Sequence, residues 1–273
     1  MIQEHIVNEN VYEPYLEKTY PDSHRSYMLS PVKIKEVQVD SEYPFLDHSF
    51  KAKCLHVFIY AGIFLLVFWL NPLRYGLKIE GRKGLKKYKK QFKNGAMTVA
   101  NHVYRWDFLA VLQAVRFRCM WFPARQENLE TSDAWMIRGA GGIPVPNTSQ
   151  AMKKFNAAFN YLHKKKKWLH CFPEASRWDF YGPIRPFRKG AFSMAYSYNL
   201  PVIPMAFSYR KPTGLYKFFK VKHPLVTLRI GEPIFPDKTI GKSESCDKMR
   251  TEAHEQICAL AGIKQNGWPA ILD

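Results

Sequence analysis

The chain has 273 residues, 47% of them hydrophobic and 15% aromatic, which is enough apolar material for a sizeable core and excludes a wholly disordered chain. Lys and Arg outnumber Asp and Glu 41 to 23, a formal charge of +18, so the partner is anionic: nucleic acid, an acidic membrane surface, or a phosphorylated or CoA-like substrate. The five cysteines (54, 119, 171, 246 and 258) fall in no metal-binding or disulfide spacing and read as free thiols; no metal site is expected.

In chain order, residues 1–50 are polar and rich in Tyr and Pro, and read as an extended arm in which VKIKEVQVD (32–40) alternates like an isolated strand. Residues 51–73 read as a membrane-associated helix. Their centre, CLHVFIYAGIFLLVFWL from Cys54 to Leu70, is apolar all round. As a helix it measures about 25 Å, a little short of the roughly 30 Å hydrocarbon core. A tilted span and a helix embedded in one leaflet fit it nearly equally, and a soluble core helix fits less well. Pro72 is expected to stop this helix. Arg82, Lys83, Lys86, Lys87, Lys89, Lys90 and Lys93 follow, suited to anionic headgroups.

Residues 74–273 read as one domain. Candidate strands are 75–81, 96–100, 119–123, 168–172, 201–207 and 225–231. A helix is expected from Thr148 or Ser149 to about Lys165, with Met152, Phe155, Phe159 and Leu162 on one face; a second carries Cys246, Met249, Ala253, Ile257 and Leu260. Strands interleaved with helices indicate an α/β fold with a mostly parallel sheet flanked by helices. Pro201 and Pro204 point to an edge or irregular strand at 201–207. The glycines at 139, 141 and 142 lack the spacing of a dinucleotide fingerprint, and Lys164–Lys167 reads as a solvated helix end.

Two segments past strand ends could carry chemistry. In NHVYRWDF (101–108), His102 and Asp107 are five residues apart; a continuous helix would point them about 140° apart, so they meet only across a loop or helix start. If they meet, the carboxylate fixes the imidazole tautomer and leaves its other nitrogen as a base. Chance produces the same spacing often. In CFPEASRWDF (171–180), Glu174 and Arg177 read either as a turn with a surface ion pair or as an anion and polyol clamp. Arg188 and Lys189 form a basic pair just beyond.

The order of blocks NHVYRWDF, GGIPVPN, FPEASRW and LPVIPMAF resembles the lysophosphatidic acid (1-acyl-glycerol-3-phosphate) acyltransferases of the glycerolipid acyltransferase superfamily, over about residues 54 to 235. The resemblance implies transfer of a fatty acyl group from acyl-CoA or acyl-carrier protein to the sn-2 hydroxyl of lysophosphatidic acid at the cytoplasmic face of the cell membrane. It implies His102 as general base steadied by Asp107, with backbone N–H groups around Ala175 and Ser176 as oxyanion donors. No organic cofactor or nucleic acid is implied. Two departures stand out: Asn147 replaces the family's phosphate-binding Arg, which shifts the phosphate towards Arg177 and Lys189, and Ala175 and Ser176 replace Gly and Thr. The first keeps open an acceptor of another kind, a larger lysophospholipid or an ornithine-type lipid. A non-enzymatic basic binding protein would leave His102, Asp107, Glu174 and Arg177 unexplained.

Overall fold

The computed structural model describes residues 4–14, 18–29, 32–116 and 118–272; the expected arm's residues 1–3, 15–17, 30 and 31 lie outside that set. The chain begins with β1 (Ile6–Val7), then α1 (Phe50–Gly62), a π-helical stretch (Ile63–Val67) and α2 (Phe68–Tyr75). Next come β2 (Lys78–Glu80), β3 (Met97–Ala100), α3 (Asp107–Ala114), β4 (Met120–Ala124), α4 (Ala134–Gly139) and β5 (Gly142–Pro144). The second half holds α5 (Ser149–Lys164), β6 (Trp168–Cys171), α6 (Gly190–Tyr198), β7 (Val202–Arg210), α7 (Leu215–Phe218), β8 (Leu225–Ile230), α8 (Lys242–Ala261) and β9 (Ile263–Gln265).

Among the described residues the main sheet has the order β2-β8-β7-β3-β6-β4-β5. Only β7–β8 is antiparallel, so the sheet is mostly parallel as expected. One face carries α5, α6 and α8 over Val99, Leu169 and Val202. The other carries α1, α2 and α3 over Ala100, Met120 and Met205. The side chains of α5 follow its amphipathic pattern: Phe155, Phe159 and Leu162 are buried, and Thr148 caps the helix by accepting the Ala151 N–H at 3.3 Å. The five cysteines are free.

Four expectations fail. β7 is central, between β3 and β8, despite Pro204. Pro204 C=O accepts the Gly231 N–H at 2.8 Å, so the proline nitrogen faces the same side, just past the end of β8 at Ile230, and at most the one reciprocal bond there is forgone. Pro72 lies inside α2, and the apolar helix breaks earlier, at the π-helical stretch; α2 ends at Gly76, in the left-handed region. Residues 32–40 form no strand; instead Ile34 and Lys35 donate N–H groups to Glu130 C=O, and β1 pairs with β9. Arg82 leaves the basic cluster and caps the end of α3 through Gln113 and Ala114 C=O, at 2.8 and 3.1 Å.

No single helix among the described residues is long and apolar enough to cross a membrane; Phe50–Leu65 and Phe68–Tyr75 reach that length and composition only together, bent by 45°. Ile59, Ile63 and Val67 are buried against the domain, whereas Phe58, Phe64, Leu65, Phe68, Trp69 and Leu73 are exposed. Gly139 of α4 lets α1 approach, since a Cβ there would stand 2.6 Å from Ile59 Cγ1. The glycine cluster is thus a packing device.

Candidate active site

β3 ends where the Asn101 side chain clamps the neighbouring strand, donating to Phe207 C=O at 3.1 Å and accepting Phe207 N–H at 2.8 Å. The chain then turns, and Asp107 opens α3. Asp107 is 1% exposed, and its Oδ2 accepts the Val103 and Tyr104 N–H groups at 2.9 and 3.3 Å and lies 2.6 Å from His102 Nδ1. A carboxylate in a first helical turn is favoured by the helix dipole. As an acceptor it fixes the Nδ1–H tautomer and leaves Nε2 as the basic nitrogen. The imidazole lies flat on Phe172, centroids 4.0 Å apart. His102 and Asp107 therefore meet across a helix start, as their spacing required.

The block after β6 is built differently. Phe172 C=O accepts the Ala175 N–H at 3.0 Å, and Ala175 itself has φ +64°, a positive value unfavourable for a residue with a Cβ. Glu174 is buried and turned inward. Its Oε1 accepts the Arg185 N–H at 2.9 Å, and its Oε2 accepts Arg185 Nη2 at 2.8 Å and the His102 N–H at 3.1 Å. Ser176 Oγ accepts Arg185 Nη1 at 2.5 Å and donates to Ser26 C=O at 3.3 Å. Trp178 donates its indole N–H to the same carbonyl at 3.0 Å and its backbone N–H to His102 C=O at 3.2 Å. Both backbone polar groups of His102 are thus held by this block. Glu174, expected to contact substrate, is instead held in internal bonds; the Ser176 Oγ is likewise engaged, although Ser176 also lines the adjoining groove, and the Ala175 N–H is already used in the turn.

A groove of about 1690 Å³ opens beside the dyad, walled by apolar side chains including Phe58, Ile63, Phe108, Phe122, Met152 and Phe159. Arg177 lines it, with Nε donating to Asp179 Oδ1 at 2.8 Å; Asn147 and Arg188 line it too. Lys189 does not: its ammonium reaches Ser243 Oγ at 2.7 Å and Asp247 at 3.3 Å, and it borders a separate cavity. Three residues escaped the sequence reading. Arg185 carries the ion pair to Glu174. Arg125, at the end of β4, lines the groove with its guanidinium 3.4 Å over the Tyr27 ring. His170, buried two residues along β6 from Phe172, sits 2.8 Å from Thr98 Oγ1, and burial pushes its pKa down to about 3, with His102 adding to the shift. No local pattern in the sequence gave a sign of any of them: Arg185 stands in a proline-rich loop, Arg125 just past a strand and His170 within one. The arm also reaches the groove, through Tyr27, Leu29, Val32 and Lys33. Among the described residues no cluster of His, Cys, Asp and Glu is arranged to hold a metal.

Residues 77–208, which contain all four sequence blocks, match the Acyltransferase family model. The chain is 27% identical over 137 residues to the 1-acyl-sn-glycerol-3-phosphate acyltransferase beta of Homo sapiens, covering 49% of this chain and 48% of that protein. It is 29% identical over 191 residues to the 1-acyl-sn-glycerol-3-phosphate acyltransferase of Limnanthes douglasii (67% and 63%) and 27% identical over 149 residues to that of Salmonella typhimurium (51% and 56%). The matches thus span from about half to under two thirds of these relatives' length. The crystal structure of the 1-acyl-sn-glycerophosphate (LPA) acyltransferase PlsC from Thermotoga maritima shares the fold, with a TM-score of 0.52, 21% identity, and coverage of 79% of this chain and 84% of that one. Family model, relatives and fold agree with the four blocks in likening residues 77–208 to the acyltransferases.

Proposed function

We propose that this protein transfers a fatty acyl group from a thioester, acyl-CoA or acyl-carrier protein, to the sn-2 hydroxyl of lysophosphatidic acid, giving phosphatidic acid for phospholipid synthesis. The observation that carries this reading is the His102–Asp107 pair at 2.6 Å beside a large apolar groove. His102 Nε2 takes the proton as the acceptor oxygen attacks the thioester carbonyl, and Asp107 steadies the imidazolium. The tetrahedral intermediate then expels the thiolate, which takes that proton and leaves as the thiol. No metal or prosthetic group enters these steps. The Ser176 N–H, next in the turn after that of Ala175, is assigned to the oxyanion, and the acyl chain lies along the apolar walls. Arg177, with Arg125 and Arg188, supplies the cations for the acceptor phosphate in place of an Arg at 147.

The bent pair α1–α2 attaches the enzyme to the cytoplasmic face of the cell membrane. Its exposed Phe64, Phe68, Trp69 and Leu73, and the exposed lysines at 83, 86, 87, 89, 90 and 93, support this. The test is thiol release from acyl-CoA with a panel of lysophospholipids. Turnover fastest on lysophosphatidic acid is expected. Faster turnover on acceptors with larger headgroups would replace the acceptor named here, a reading that Asn147 favours, and no thiol release with any acceptor would overturn the reaction.

A further inference from the structure

The connection from β7 to β8, KPTGLYKFFKVKHP (211–224), serves neither the dyad nor the groove. Leu215, Phe218 and Phe219 stand 72, 76 and 70% exposed at its tip. Lys211, Lys217, Lys220 and Lys222 surround them, all exposed, and the stretch contains no acidic residue. The tip is an ordered turn. Phe218 and Phe219 N–H groups bond to Gly214 and Leu215 C=O at 3.0 and 2.9 Å, and Lys220 and Val221 N–H groups close back onto Lys217 and Tyr216 C=O at 3.0 Å. Its base is fixed to the end of α2: Tyr216 O–H donates to Pro72 C=O, Arg210 donates to Gly76 C=O, and the His223 ring lies 4.9 Å from that of Tyr75. The tip therefore stands beside α2, whose Phe68, Trp69 and Leu73 are also exposed.

Exposed apolar side chains in such number mark a contact surface. The ring of lysines decides which partner fits. Two copies of a chain of charge +18 meeting through this tip would bring lysine against lysine, whereas an anionic lipid surface takes the apolar side chains below the headgroups and the ammonium groups among them. We propose that residues 211–222 are a second membrane-contact point, inserting Leu215, Phe218 and Phe219 into an anionic bilayer beside α2. This rests on the reading of α1–α2 as a membrane attachment. Two contacts joined at their bases fix the tilt of the domain as well as its distance from the lipid. Tyr75 carries that plane towards the dyad, its ring 4.7 Å from that of Tyr104 and tilted 42° to it, and the Tyr104 N–H is held by Asp107.

The full-length protein is measured against phosphatidylcholine vesicles with and without phosphatidylserine. L215S/F218S/F219S should lower the partition coefficient by roughly tenfold or more, since three large apolar side chains lose their burial. K217E/K220E/K222E should lose affinity only for vesicles containing phosphatidylserine. Y161S, on α5 at the other face of the sheet, should change nothing, and thermal melts establish that each variant is folded. If both tip variants bind like wild type while F68S/W69S/L73S is released, the tip proposal falls and the α1–α2 attachment stands. If wild type binds neither vesicle, both fall. A change in sedimentation-equilibrium mass with vesicle binding unaltered would make the tip a contact between copies and would also overturn the proposal.

Discussion

Two turns meet at the dyad, and they treat their polar groups in opposite ways. In residues 101–107 one carboxylate organises the turn and, among the described residues, is the hydrogen-bond partner of the His102 ring, whose face lies on Phe172. In residues 172–185 the key polar side chains are turned inward: Glu174 and Ser176 share Arg185, and Glu174, Ser176 and Trp178 also reach back to His102 or to Ser26. The first turn keeps a group available for proton transfer. The second holds that group still, because a buried carboxylate and guanidinium tolerate little displacement before their desolvation goes uncompensated. Substitutions in the first should therefore change rate, and those in the second should change stability.

The sharpest test of that division is His102→Ala, which should cut turnover by about 10²- to 10⁴-fold with an unchanged melting curve. Asp107→Asn should lose most of the activity too, since an amide oxygen can still accept the Val103 and Tyr104 N–H groups but no longer carries the charge that steadies an imidazolium. Thiol release measures both, and more than about a tenth of wild-type turnover in His102→Ala would end the general-base role. On the other side, Arg185→Met should destabilise the protein by about 3–5 kcal/mol in urea melts, as Glu174 stays buried without its counter-charge. Adding Glu174→Gln should restore part of that loss. A single variant as stable as wild type would mean that the ion pair does not hold the block.

Between these extremes lies Arg177, at the seam of the inward block and the groove. Arg177→Ala should raise KM for lysophosphatidic acid about ten- to a hundredfold, Arg177→Lys should recover little, and Asn147→Arg should lower it. Unaltered KM values in all three would move phosphate recognition to Arg125 and Arg188. The smallest effect belongs to Ala175→Gly. Relief of a positive φ is partly offset by the entropy of the glycine in the unfolded chain, so a gain of about 0.5–1 kcal/mol is expected, with turnover unchanged. A loss of stability would show that the Ala175 methyl contributes packing worth more than its strain.

Much of this arrangement was legible in the sequence because its signals are local. The strand ending at Ala100, the amphipathic face of α5, the face of α8 carrying Cys246, Met249, Ala253 and Ile257, and the His102–Asp107 spacing each involve a few neighbouring residues. What could not be read depends on distant partners. Glu174 looked like a ligand because Arg185, eleven residues later, is an unremarkable arginine in a proline-rich stretch. Pro204 argued against a central strand because propensity says nothing about where the neighbouring strand stops. β5 has three residues, too few to show a period, and β1 is visible only through its pairing with β9. The break in the apolar helix leaves no mark in hydropathy, since Ile63–Val67 is as apolar as its flanks.

The bonds from Ser176 and Trp178 to Ser26 span 150 and 152 positions. During synthesis the arm leaves the ribosome long before its partners exist, and β1 waits longer still for β9. Contacts so distant in sequence carry a high loop-closure cost and form late. The site is thus completed by a segment made some 150 residues before its partners, and until residue 178 has been made and placed, Tyr27 and Leu29 have no groove to line. A nascent chain stalled before that point would leave His102 unbraced, its backbone C=O without the Trp178 N–H.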